Sequence, residues 1–150
     1  MLKKHKIFIF FSFFIGNVIK NIYLRACNFN TSALKDVLLA TIIEGLQNGK
    51  AHDIQVIDMC KLEEAAFNYF IICEGSSSTQ VYGIANTMIK HVRDTLGQHN
   101  QGVVGLNNRQ WVAVDYGYVL VHVFQPETRM FYNLESLWED AVITRIPDLD

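Results

Sequence analysis

Apolar residues recur at helical spacing in two segments of the chain. The first helix is predicted to begin at Ser32, a residue type that favours the N-cap, and to end at Asn48-Gly49, a typical stop signal. The second is predicted to follow Glu74–Ser78 and to end at Gly97. Its stripe repeats at i, i+3, i+4 and i+7 and comprises Val81, Ile84, Ala85, Met88, Ile89, Val92 and Leu96. Each stripe must pack against another element of the fold.

Four shorter runs are typical of β-strands. Residues 53–59 alternate between apolar and polar positions, and residues 69–73 form a continuous apolar run, which indicates a strand buried on both faces. Residues 110–115 and 119–124 are rich in β-formers. Because only residues 116–118 (Tyr-Gly-Tyr) separate these two runs, they predict an antiparallel hairpin.

The remaining segments complete the predicted order of elements. Residues 60–68 and 98–110 are predicted to be loops, and the second is long enough to indicate a functional surface. Pro126 ends strand pairing and opens a helix, residues 134–141 predict a further short helix, and residues 146–150 predict a loose acidic tail. This order predicts an α/β or α+β fold, with a mixed sheet of five strands or fewer flanked by helices.

The beginning of the chain does not follow this pattern. Met1–Lys6 is basic and residues 7–15 (IFIFFSFFI) are apolar, which imitates the start of a secretory signal. No small-residue cleavage site follows, and the apolar run is shorter than the roughly 20 residues that cross a bilayer. We therefore expect residues 1–30 to be an extension outside the fold, with a membrane-surface anchor or a targeting segment as alternatives. The folded domain is predicted at residues 31–143, with a tail at 144–150.

Charge is distributed unevenly along the chain. The net charge is −2 overall, but residues 53–150 contain 6 Lys/Arg against 13 Asp/Glu, which is a net charge of −7. Binding to a phosphate backbone draws much of its affinity from Lys and Arg. We therefore expect no direct DNA binding and little or no sequence-specific RNA binding. A basic protein partner fits better, although a merely solvated acidic surface is an open alternative.

Cysteines and histidines make no recognisable metal pattern. The three cysteines are an odd number at spacings that match no zinc site, so they indicate reduced, buried thiols and a cytoplasmic protein. The five histidines likewise lack zinc-ligand spacing. We predict no metal ion and no cofactor.

Two arrangements are compatible with catalysis. Residues 75–78 (Gly-Ser-Ser-Ser) lie between a predicted strand and a helix, where backbone N–H groups can hold a phosphate, and they resemble a nucleotidyltransferase motif with Asp115 as its carboxylate. That chemistry needs clustered acids, however, so helix capping by the serines is the favoured interpretation. An Asp115–His122 pair could orient a base, but no Gly-x-Ser-x-Gly nucleophile turn accompanies it. We predict no catalytic residue and a structural or interface role for His122.

Aromatic residues are concentrated on the predicted hairpin. Trp111, Tyr116 and Tyr118 lie there beside Asp115 and His122, and aromatic residues often anchor protein interfaces. Because turns usually lie at the surface, we expect Tyr116 and Tyr118 to face outward. Burial of Trp111 in the core is the alternative.

Long stretches of the chain resemble the ribosomal silencing factor family, also called RsfS or Iojap. The most specific stretch is residues 115–124 (DYGYVLVHVF), which is followed by Pro126-Glu127, Arg129, Tyr132, Leu134-Glu135, Leu137-Trp138 and Asp140-Ala141. The upstream stretches that agree are Lys50-Ala51, Asp53-Ile54, Asp58, residues 69–73, Gly75, Ser77, Gln80-Val81 and Ile84-Ala85. The resemblance covers about residues 34–142.

This resemblance implies a nucleotidyltransferase-like fold that has lost catalysis. It implies binding to the large ribosomal subunit through the universal protein numbered fourteen, which would block the small subunit sterically and repress translation. The implied contact surface is the hairpin with its supports, which together with Tyr118 of the turn gives Trp111, Asp115, Tyr116, Gly117, Tyr118, His122, Glu127 and Arg129. The alternatives are an enzyme that uses the Gly-Ser-Ser-Ser turn and Asp115, and, for assembly, a homodimer.

Two positions depart from the family pattern. Tyr118 stands where the family usually has an acid after Asp-Tyr-Gly, and Val104 stands where it commonly has Glu before Gly. Each change removes a negative charge at or near the implied contact.

Overall fold

The computed structural model of the chain describes residues 32–63 and 65–149. The predictions for residues 1–30 lie outside these described residues. Within them, no helix is both long enough and apolar enough to cross a membrane.

The described part of the chain contains three α-helices, one 3₁₀ helix and six strands. The α-helices are α1 (Ser32–Asn48), α2 (Ser78–Leu96) and α3 (Pro126–Tyr132), and a 3₁₀ helix covers Leu134–Leu137. The strands are β1 (His52–Asp58), β2 (Tyr69–Glu74), β3 (Gly102–Val104), β4 (Trp111–Asp115), β5 (Val119–Phe124) and β6 (Val142–Ile146). The mixed α/β architecture predicted from the sequence is confirmed.

The strands form one open sheet in the order β3-β4-β5-β2-β1-β6. Only the β2–β5 pair is parallel, and the other four pairs are antiparallel. The sheet has six strands, so the expectation of five or fewer was wrong. Both edge strands were missed, because β3 has three residues in a glycine-containing loop and β6 is specified by its pairing with β1, about ninety residues away.

One face of the sheet is covered by α1 and α2. The Ser77 hydroxyl caps α2 by accepting a hydrogen bond from Gln80 N, and Gly97, in the left-handed conformation with φ 65°, ends the helix. Helices α1 and α2 approach closely at Gly45, where an added Cβ would lie 2.9 Å from Met88 Cα. The strand residues that face these helices are almost all aliphatic and buried: Ile54, Val56, Ile71, Cys73, Val112, Val114, Val119, Val121 and Val123.

The C-terminal segment departs from the predicted order. The helix expected at residues 134–141 ends as a 3₁₀ turn at Leu137, because Trp138 leaves helical backbone angles and its ring contacts Phe70. The boundary expected after residue 143 falls inside β6. Beyond β6, Asp148 is held to β1, since Asp148 Oδ1 accepts a hydrogen bond from the backbone N of Asp53 at 3.0 Å. The segment after residue 146 is therefore attached to the sheet through Asp148.

Candidate functional site: the hairpin face of the sheet

The face of the sheet opposite α1 and α2 carries a cluster of rings. In the hairpin formed by β4, β5 and their turn, Trp111 lies opposite Phe124 and Ala113 lies opposite His122. The His122 ring contacts Phe70 on β2 at 4.8 Å between centroids and Trp111 at 5.7 Å. We define the aromatic cluster as Phe70, Trp111, His122, Phe124, Tyr132 and Trp138.

Most of the hairpin side chains assigned to the contact surface are buried: Trp111 is 7% exposed, Asp115 3%, Tyr116 2% and His122 0%. The expected outward orientation was therefore wrong for Tyr116, and Trp111 takes its alternative position in the core. Strand alternation is the physical reason, because it directs Trp111 and His122 to one face of the sheet. There Trp111 packs against Tyr132 of α3, and His122 packs against Phe70, which Trp138 contacts in turn.

Tyr116 is buried on the opposite side of the sheet. Its hydroxyl donates to Met88 Sδ on α2 at 3.6 Å, and burial raises the pKa of Tyr116 to about 12. The turn that follows is shaped by Gly117, whose φ of 94° favours glycine and whose N–H donates to Asp115 Oδ1 at 2.6 Å. Asp115 and Tyr116 therefore build the hairpin turn from within.

His122 is held as a neutral imidazole. Trp111 Nε1 donates to His122 Nδ1 at 3.1 Å, and since an indole nitrogen can only donate, Nδ1 is the acceptor and the ring proton lies on Nε2. Burial lowers the pKa of His122 to about 3. This geometry supports a structural role for His122. Asp115 is paired with Leu120, whereas His122 is paired with Ala113. Asp115 and His122 are therefore not cross-strand partners.

The residues of the alternative catalytic site are not brought together. Asp115 lies at the level of Phe70 on β2, because Leu120 of β5 pairs with both residues. The serine turn follows Glu74 at the far end of β2, where Glu74 pairs with Phe124. Asp115 and the serine turn thus lie at opposite ends of the sheet, about 13 Å apart along the strand direction. The predicted capping role of the serines is confirmed at Ser77, and Ser76 N and Oγ both donate to Gln80 Oε1. Residues 32–63 and 65–149 contain no group of three or more His, Cys, Asp or Glu side chains able to hold a metal ion.

The two described cysteines differ from each other. Cys73 is buried as expected, and desolvation raises the pKa of its thiol to about 12. Cys60 is exposed, so the expectation of burial was wrong there. The reason is its position in the turn after β1, where the Asn68 side-chain amide donates to Cys60 Sγ at 3.6 Å. Cys27 lies outside the described residues.

Arg129 joins α3 to the ends of two strands. Its side chain is 7% exposed, and its guanidinium contacts Glu135 Oε1 at 2.9 Å, Asp53 Oδ2 at 3.1 Å and Glu74 Oε2 at 3.3 Å. It also donates to the backbone oxygen of Asp53 at 3.0 Å. Sequence reasoning named Arg129 as a support of the contact surface, and the structure shows how it fastens α3 over the sheet.

The surface above the aromatic cluster includes residues that sequence reasoning missed. Of the eight predicted contact residues, Glu127 is exposed and Tyr118 is partly exposed. Next to Glu127 on α3, Met130 is 73% exposed and Phe131 is 49% exposed. No local pattern marked these two, because a helix of seven residues is too short for its periodicity to separate inward from outward positions.

Comparison with known proteins places the whole described domain in one family. A family model described as "Ribosomal silencing factor during starvation" matches residues 31–150. The Ribosomal silencing factor RsfS of Bacillus subtilis is 43% identical over 101 residues, covering 67% of this chain and 81% of that protein.

Two crystal structures share the fold. One, of a protein from Chromobacterium violaceum, has a TM-score of 0.64 and 34% identity, and covers 69% of this chain and 84% of that one. The other, of a protein from Bacillus halodurans, has a TM-score of 0.61 and 33% identity, and covers 71% of this chain and 97% of that one. The chain belongs to the ribosomal silencing factor family.

Proposed function

We propose that this chain binds the large ribosomal subunit through its universal protein numbered fourteen and thereby blocks the small subunit sterically, repressing translation. The family-model match over residues 31–150 carries the proposal, since it spans every element of the described fold. We expect the protein to act in the cytoplasm as a binding protein, without a catalytic step.

The charge of the domain supports a basic protein partner. The net charge of −7 over residues 53–150 favours encounter with a surface rich in Lys and Arg and disfavours direct contact with nucleic-acid phosphates. A protein component of the large subunit therefore suits this domain better than ribosomal RNA. Tyr118 and Val104, which stand where the family usually has acids, weaken this charge without reversing it.

The eight residues predicted to bind the partner divide into two groups. Tyr118 and Glu127 reach the surface, and we propose that they touch the partner directly. The other six are buried, and we propose that they shape the contact surface from below: Trp111, Asp115, Tyr116, Gly117, His122 and Arg129. Replacing a buried member tests folding before it tests binding.

The proposal is tested with purified chain and salt-washed ribosomal subunits. The chain should pellet with large subunits and not with small subunits alone. Preincubation of large subunits with excess chain should slow their association with small subunits, measured by light scattering. A chain that fails to pellet with large subunits at both low and moderate salt contradicts the proposal.

A further inference from the structure

We infer that Met130 and Phe131 of α3, here called the α3 ridge, anchor this protein to a basic protein surface of the large subunit. The inference rests on the proposed function and names a contact outside the hairpin. Met130 and Phe131 are adjacent large apolar side chains, 73% and 49% exposed, on the helix whose Tyr132 packs in the aromatic cluster. Contiguous exposed apolar surface bordered by polar residues often marks an interaction site, whereas single exposed apolar side chains are ordinary.

Phe131 of the ridge contacts a ring that packs on the sheet. Tyr132, the next residue, turns inward and contacts the Trp111 ring at 4.8 Å between centroids. The Phe131 ring stands edge-on to Tyr132 at 5.1 Å with an interplanar angle of 89°. The orientation of Phe131 is therefore set by a ring that is itself packed on the sheet. An aromatic anchor that is held in place before binding loses less conformational entropy when the partner arrives.

The opposite side of α3 carries the interactions that fasten the helix. Arg129 donates to Glu135 within the same segment, and it reaches Asp53 on β1 and Glu74 on β2. Leu134, just beyond α3, is 1% exposed. The helix is thus attached by residues that face the protein, whereas Met130 is 73% exposed and Phe131 is 49% exposed.

The charge of the chain segment that carries the ridge indicates the chemistry of the partner. Residues 126–141 contain four acids and one base, and that base, Arg129, is buried. The acids of this segment are Glu127, Glu135, Glu139 and Asp140, and all except Glu135 are exposed. A phosphate backbone would be repelled here, whereas Lys and Arg side chains around an apolar pocket would complement both features. The partner that fits the ridge is therefore a basic ribosomal protein.

A matched pair of variants tests the ridge. The variant M130S/F131S removes it, and V142S/I143S removes another adjacent apolar pair, on β6, that is 63% and 40% exposed. We expect M130S/F131S to weaken binding to large subunits at least about tenfold, as truncation of interface anchors typically does. V142S/I143S should bind within about twofold of the unaltered chain. Thermal unfolding of each variant checks that it folds, and M130S alone replaces the double variant if F131S destabilises the protein.

The outcomes separate the inference from the proposed function. If the unaltered chain binds large subunits and a folded ridge variant binds equally well, the ridge is not an anchor and the inference fails alone. If the unaltered chain does not bind, the proposed function fails. Photo-crosslinking identifies the class of partner. The variant Phe131→p-benzoylphenylalanine, which carries a photo-crosslinking side chain, is bound to large subunits and irradiated, and the cross-linked component is identified. A cross-link to a basic ribosomal protein supports the inference, and a cross-link to ribosomal RNA overturns it.

Discussion

The two faces of the sheet are closed in different ways. Two helices of 17 and 19 residues cover one face, and the contacts there are almost entirely aliphatic. The other face is covered by a seven-residue helix and a 3₁₀ turn, which are held by the ion pairs of Arg129 and by stacked rings around His122. Hydrophobic burial stabilises the packing on the first face, whereas ion pairs and hydrogen bonds also stabilise the packing on the second.

This difference predicts where the molecule is sensitive to charge and pH. Aliphatic packing does not change with protonation, so the helix-covered face should respond mainly to changes in side-chain volume. The face covered by α3 contains a buried cation and a buried neutral imidazole, whose stability depends on their partners. It also supports the surface that we propose to meet the ribosome.

The largest expected effect comes from Arg129→Met. Removing the guanidinium leaves the Asp53, Glu74 and Glu135 carboxylates close together without their shared cation. Breaking a buried ion pair costs about 3–5 kcal/mol, and because Asp53 is 45% exposed we expect about 2–4 kcal/mol lower free energy of unfolding in urea. Arg145→Met, on exposed β6, is the control and should change stability by less than about 0.5 kcal/mol. Equal losses in both variants would contradict a special role for Arg129.

The second effect is a loss of stability in acid that originates at His122. The folded-state pKa is about 3, below the value of 6.5 for an unperturbed imidazole, so the unfolded chain binds the additional proton between these values. The stabilisation is fully present above pH 6.5 and is lost as the pH falls towards 3. Urea unfolding should show a contribution of about 1.4 kcal/mol per pH unit between pH 6 and 4.

His122→Phe is the comparison for this pH dependence. Phenylalanine cannot bind a proton, so the variant should start from lower stability at pH 7.5 but lose less on acidification than the parent chain. The rings of Phe70, Trp111 and Phe124 pack against His122, and none of these three titrates. Identical pH slopes for the two chains would show that His122 does not control the response.

The smallest effect is expected from Trp111→Phe. This change keeps a ring against Phe124 and Tyr132 but removes the Nε1 donor that His122 Nδ1 accepts. Losing one partner of a buried hydrogen bond costs about 1–3 kcal/mol. Because this change removes a single hydrogen bond and keeps an aromatic ring, we expect the free energy of unfolding to fall by about 1–2 kcal/mol in thermal unfolding. If Trp111→Phe left the stability unchanged, ring packing alone would account for the stability of this face.

Local patterns in the sequence specified most elements but not their neighbours. The i, i+3, i+4, i+7 stripe of α2 was correct, with Val81, Ile84, Ala85, Met88 and Val92 all buried. Tyr116-Gly117-Tyr118 correctly indicated the turn of the antiparallel hairpin. These features depend on interactions within a few residues, which a linear pattern contains. The resemblance through residues 115–141 also identified the family, because its motif is continuous along the chain.

The parts that sequence reasoning missed depend on contacts between distant segments. β6 becomes a strand because β1 offers an edge to pair with, and Arg129 gains its role because Asp53 and Glu74 arrive from the ends of two other strands. Likewise, nothing local shows that α3 would cover Trp111 and His122 while leaving Met130 and Phe131 exposed. Periodicity along the chain therefore indicated the helices and strands that carry a continuous apolar pattern, but neither β3 nor β6. On the face covered by α3, only the tertiary structure decided which residues are buried, because burial depends on what packs above a residue.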